Sequence, residues 1–168
     1  MTSQEIDITS IVNAVINILT KRQNAVYKTD LNALTKGISK SVYSNYSTLF
    51  ITLPDMQFIQ QLASHGRSTH VTPAVQHVYD ALSYGLELKI NIHEHLLPSL
   101  PIEGLALLPI QLSDQLGNTI KLETAPVLGY QQVITLTGKW LITPKTTLVT
   151  PLAKDILIQN NIHLIKVR

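Results

Sequence analysis

Between residues 48 and 93 the spacing of apolar side chains switches from strand-like to helical and back, and that succession restricts the chain to few folds. TLFITLP (48–54) is a short apolar run ended by Pro54. Behind it Asp55 is suited to cap a helix, and Met56, Ile59 and Leu62 recur at helical spacing. Thr72-Pro73 opens a second helical stretch, with Val75, Val78, Tyr79 and Leu82 on its inner face and Gly85 as its stop. LELKINIH (86–93) then alternates Leu86, Leu88, Ile90 and Ile92 with Glu87, Lys89 and Asn91, the period of a strand with one buried face. Strand, helix, helix, strand and a further helix make a small α/β unit.

From residue 107 the pattern turns to β. LLPIQLSD and NTIKLET predict a hairpin around 115–118, and QQVITLT and KWLITP a second pair turning at Thr137-Gly138. Near the end Thr150 caps a short helix entered through Pro151, spanning 153–159, and Asn160-Asn161 turn into a strand over 162–167. The expected class is α/β: a small mixed sheet with flanking helices and a β-rich second half, in one globular domain over 48–168.

Ahead of that domain, Ile8, Ile11, Val12, Val15, Ile18 and Leu19 form the stripe of an amphipathic helix within 1–20, widened by Ile16. Ser3 is its expected N-cap, with Glu5 and Asp7 near the positive helix end. β-branched residues lower intrinsic helicity, so the segment calls for a partner surface. Residues 21–47 carry five basic side chains against Asp30 alone, with one short turn at 30–34, and read as a linker. A flexible linker of that length separates its ends by about 25–30 Å. The stripe must be buried against its own body or another protein, and the linker favours the latter.

Charged residues are 14% of the 168, well below about a quarter in typical domains, while hydrophobic residues are 45%. Such a surface suits self-association or life inside an assembly. A net charge of +2 gives no footprint for nucleic acid. The basic stretch with Tyr27, Tyr43 and Tyr46 is the one candidate for it, and reads as solvated chain. No cysteine is present, which rules out disulfides and thiolate chemistry, and no run suggests a secretory signal or a membrane span. The expectation is a soluble intracellular chain.

Catalytic motifs are scarce. His93-Glu94-His95 would place two imidazoles on one face of a continuing strand, but that face is the polar one. If a helix starts at His93, Leu96, Leu97 and Leu100 form its core stripe and Glu94 sits in its first turn. Zinc needs three or four ligands held together, and His65, His70, His77 and His163 are scattered. There is no G-x-S-x-G elbow, and the glycines lie too far apart for a phosphate loop. Asp55 follows a strand, where α/β sites often carry a functional acid, and an N-cap explains it equally.

Four segments, ITLPDMQFIQQLA, HVYDALSYGLELKINIHEHLLPSLP, VLGYQQVITL and VTPLAKDILIQNNIHLIK, give the chain its resemblance to a known family. In order and spacing they resemble the propanediol-utilisation microcompartment PduM family, from about Leu49 to Ile165. His93 belongs to the family pattern and His95 does not. The resemblance implies a non-enzymatic assembly component of a bacterial microcompartment, an organelle that degrades 1,2-propanediol with a cobalamin-dependent diol dehydratase. It implies shell proteins or encapsulated enzymes such as diol dehydratase as partners, no membrane or nucleic acid, and no cofactor. No catalytic, cofactor or metal residues carry over. Cargo proteins of such organelles dock through short amphipathic helices, which makes Ile8, Ile11, Val12, Val15, Ile18 and Leu19 the expected partner-binding residues. The competing expectation is an accessory enzyme binding a cofactor or metal near Asp55 and His93.

Overall fold

The computed structural model describes residues 7–64 and 71–168. Ser3, Glu5, His65 and His70 lie outside them. A helix, α1 (Ile8–Gln23), leads into strand β1 (Val26–Asp30) and two short helices, α2 (Leu31–Lys36) and α3 (Lys40–Asn45). Next come β2 (Thr48–Thr52), α4 (Met56–Ala63), α5 (Pro73–Ser83) and β3 (Glu87–Ile92). A 3-10 helix over Glu94–Ser99 and α6 (Ile102–Leu105) lead to the hairpin of β4 (Ile110–Asp114) and β5 (Thr119–Leu122). The remainder is β6 (Val127–Leu128), α7 (Tyr130–Val133), β7 (Trp140–Pro144), β8 (Leu148–Val149), α8 (Pro151–Gln159) and β9 (His163–Val167).

Seven strands form one mixed sheet in the order β1-β2-β3-β4-β5-β7-β9, and β6 and β8 make a small parallel pair beside it. The first four strands are mutually parallel, and so are the last three. Only the β4–β5 hairpin is antiparallel, so strand direction reverses once, in the middle of the sheet. A crossover that moves the same way along the sheet on reversed strands packs on the opposite face, because such crossovers are right-handed.

The two cores follow that rule. The larger gathers Ile51, Ile90 and Leu112 with residues of α2, α4, α5 and α6, and continues through Trp140 and Ile142. The smaller holds Leu141, between those two on β7, with Val133, Ala153 and Leu157 of α7 and α8. Alternation along β7 puts the cores on opposite faces. Among the described residues, helices therefore cover one face along the whole sheet, and the other only over β5, β7 and β9.

Two expectations need correction. Residues 21–47 are not a linker, since β1 pairs in parallel with β2 from Val26↔Thr48 to Asp30↔Thr52, and Leu34, Val42 and Tyr43 are buried. As an edge strand with polar Lys28 and Asp30 outward, β1 carries too little apolar alternation to read as a strand. The second hairpin does not form either. Gln131, Gln132 and Val133 of QQVITLT are helical in α7, and β7 pairs instead with β5 and β9. Gln132 Oε1 accepts from the Gly129 N–H at 3.1 Å and secures the helix start, overriding the β-branched signal of Val133 and Ile134.

Candidate interaction site

Asp7 starts α1: its Oδ1 accepts from the Thr9 and Ser10 amides at 3.1 and 3.2 Å. Lys21 and Arg22 in the last turn suit the negative helix end. Sixteen residues give a rod of about 24 Å. No residue of it is buried. Ile8, Ile11, Val12, Val15, Ile16, Ile18 and Leu19 keep between 47 and 72% of their surface exposed, so the whole expected partner-binding set lies open on a helix that its own body does not cover.

Among the described residues, the side-chain bonds from α1 to the body lie at its C-terminal end. Arg22 donates from Nε to the Tyr46 carbonyl at 3.0 Å and from Nη2 to the Tyr84 carbonyl at 3.1 Å, tying the helix to the turn before β2 and to the end of α5. Ser47 adds a hydroxyl donated to the Gln23 carbonyl at 3.0 Å. A shallow groove of about 560 Å³ runs beside this anchor, with Ile16, Leu19 and the exposed ring of Tyr84 along it. Ile16 and Leu19 belong to both the apolar stripe and the groove. Tyr84, which the sequence pattern did not single out, stacks at 4.9 Å on buried Tyr43. Burial, then nearby Asp80 and Tyr84, raise the Tyr43 phenol above its ordinary pKa.

The tyrosines of 21–47 are engaged internally. Tyr27 meets Tyr46 edge-on at 5.3 Å, while Tyr43 pairs with Tyr84. Their faces therefore serve packing, which the reading as a solvated stretch did not anticipate.

Asp55 and His93 follow the adjacent parallel strands β2 and β3. Asp55 Oδ1 accepts from the Phe58 amide at 2.8 Å and caps α4. His93 precedes the 3-10 helix, and its ring lies 5.2 Å from that of His95. Among the described residues no three His, Asp or Glu side chains converge on one point. The Glu94 amide donates to Gln115 Oε1 at 2.8 Å, so this stretch fastens the 3-10 helix to the hairpin turn.

The most heavily bonded ionisable group is Asp114, fully buried at the end of β4. Its carboxylate accepts from the Leu116 and Asn118 amides, from Asn118 Nδ2 and from Trp140 Nε1, at 2.8–2.9 Å, and Lys139 Nζ lies 3.9 Å away. Burial alone would raise its pKa, but the bonds from Trp140, Asn118 and Leu116 outweigh burial and hold it below the ordinary value. Every accepting position faces a donor from the protein, so Asp114 holds the hairpin at the point where the sheet reverses.

Comparison with known proteins fits a role in assembly. A family model described as "Putative propanediol utilisation" matches residues 10–163. The chain is 31% identical over 156 residues to a Citrobacter freundii protein named bacterial microcompartment assembly protein PduM, covering 93% of this chain and 94% of that one. A protein of the same name from Salmonella typhimurium is 28% identical over 156 residues with the same coverage. No solved structure matches the chain.

Proposed function

The chain belongs to the propanediol-utilisation family of the PduM assembly proteins, and on that premise we propose that it is a structural component of a 1,2-propanediol-utilising bacterial microcompartment, joining shell to enclosed enzymes through α1. The observation that carries the docking role is the open apolar face of α1, from Ile8 to Leu19, on a helix whose described side-chain bonds to the body lie at its C-terminal end. Helices this short are marginal in water, and covering an apolar face stabilises them. Each half-exposed Ile, Val or Leu contributes on the order of 1 kcal/mol when covered. The docking partner is a shell protein or an enclosed enzyme that offers an apolar groove, and the reading assigns no reaction to the chain.

Deletion of residues 1–20 tests the proposal. The truncated chain should fold with its sheet intact and no longer co-purify with the organelle. Normal encapsulation of that chain would refute the docking role.

A further inference from the structure

Parallel strands are ordinarily covered on both faces, yet among the described residues β1–β4 are covered on one. Across their bare face the register aligns Lys28, Phe50, Lys89 and Gln111 side by side. A second row places Thr52, Asn91, Ser113 and Thr119 beside it. On β5, Lys121 is next to Leu141, which puts it on the same side of the sheet. β4 and β5 pair only at Leu112↔Ile120 and Ser113↔Thr119. Beyond those pairs a groove of about 640 Å³ opens where the sheet reverses, lined in part by Phe50, Lys89, Gln111, Ser113 and Lys121.

The charged residues lining the groove are Lys89 and Lys121, and both charges in the row of Lys28, Phe50, Lys89 and Gln111 are positive. Among the described residues the one ion pair is Lys139 with Asp114, so Lys28, Lys89 and Lys121 have no carboxylate partner. Lys28 Nζ rests 5.7 Å from the centre of the Phe50 ring. Of the acids on this face, Asp30 caps α2 through the Ala33 amide, and Glu87 lies on a separate row with Val26 and Thr48 at the other end of the strands.

We propose that the bare face of β1–β4 is a second docking surface, separate from α1, and that its occupant is an extended acidic segment of a partner protein lying across the strands. Lys28 and Lys89 are two strands apart, about 10 Å. In an extended chain every second side chain faces the sheet, so acids four positions apart, about 13 Å, reach both flexible lysine side chains with an apolar side chain midway between them over Phe50. The proposal extends the assembly reading by giving the chain two surfaces, as a protein that joins two others requires. Its test needs no organelle and does not involve α1, so the two ideas fail separately.

The test is fluorescence anisotropy with the purified full-length chain and a labelled peptide of repeating Glu-Thr-Val-Thr. A peptide of the same composition with its acids clustered is the control. The expected result is saturable binding of the repeating peptide, weakened about tenfold by Lys89→Glu with Lys121→Glu. Lys36→Glu with Lys40→Glu, on α2 and α3 over the opposite face, should leave it unchanged. Melting curves establish that both variants fold. Lack of saturable binding, equal binding of the clustered peptide or equal loss in the control variant would overturn the proposal.

Discussion

Trp140 donates its indole Nε1–H to Asp114 Oδ2 at 2.9 Å, joining β7 to the end of β4 at the only point where the sheet changes direction. Asp114 also binds Leu116 and Asn118, so one buried carboxylate fixes the hairpin turn and ties it to the reversed half. Replacing Asp114 by Ala leaves the Trp140 and turn donors without their acceptor. The expected loss is about 3 kcal/mol, read as a lower urea midpoint. Trp140→Phe, which keeps an aromatic ring but loses the indole N–H and part of the ring volume while leaving the Asp114 carboxylate and its turn bonds, should cost less.

The same carboxyl sets an acid limb. Its folded pKa lies below its unfolded value, so its contribution is complete above the unfolded value of about 4 and is lost as pH falls through the folded one. Urea midpoints between neutral and acid pH should fall for the wild type. The fall should be shallower in Asp114→Asn, which has no proton to gain there.

Gly104 is the close-approach position between α6 and α4, where a Cβ would overlap the Ala63 carbonyl. Gly104→Ala should push the two helices apart and destabilise the chain by about 2 kcal/mol, measurable by thermal melting. Gly117→Ala is a useful contrast. A Cβ there meets open space, so its cost comes only from the positive φ of 84°.

Arg22→Ala removes two of the side-chain bonds that hold the end of α1, to Tyr46 and to Tyr84, and leaves the one from Ser47 to Gln23. The sheet should melt nearly as before, because no α1 residue is buried. Amide exchange across 8–23 should quicken, separating the anchoring of α1 from the stability of the body.

Much of this arrangement was legible because its signals are local. Asp55, Thr72-Pro73 and Thr150-Pro151 each mark a helix start, and the helices α4, α5 and α8 begin there. The Ile8–Leu19 stripe needed only its period to predict α1. What escaped was decided by distant partners. β1 is a strand because β2 lies beside it, and Trp140–Pro144 pairs with β5 and β9 instead of the nearby QQVITLT. The bare lysine face could not be foreseen either, since no local pattern tells which helices cross to which side of a sheet. The described start of α1 is capped by Asp7, and Ser3 lies outside the described residues.

The central claim is that the open face of α1 docks the chain in the organelle. The direct measurement is the amount of an Ile11→Asp, Val15→Asp variant recovered in purified microcompartments relative to wild type, beside the melting temperature of each pure protein. Both positions are about half exposed, at 52 and 48%, and exposed substitutions usually change stability by no more than about 0.5 kcal/mol. The account predicts a nearly unchanged melting temperature with the variant lost from the microcompartment fraction. Wild-type recovery of a folded variant would contradict it.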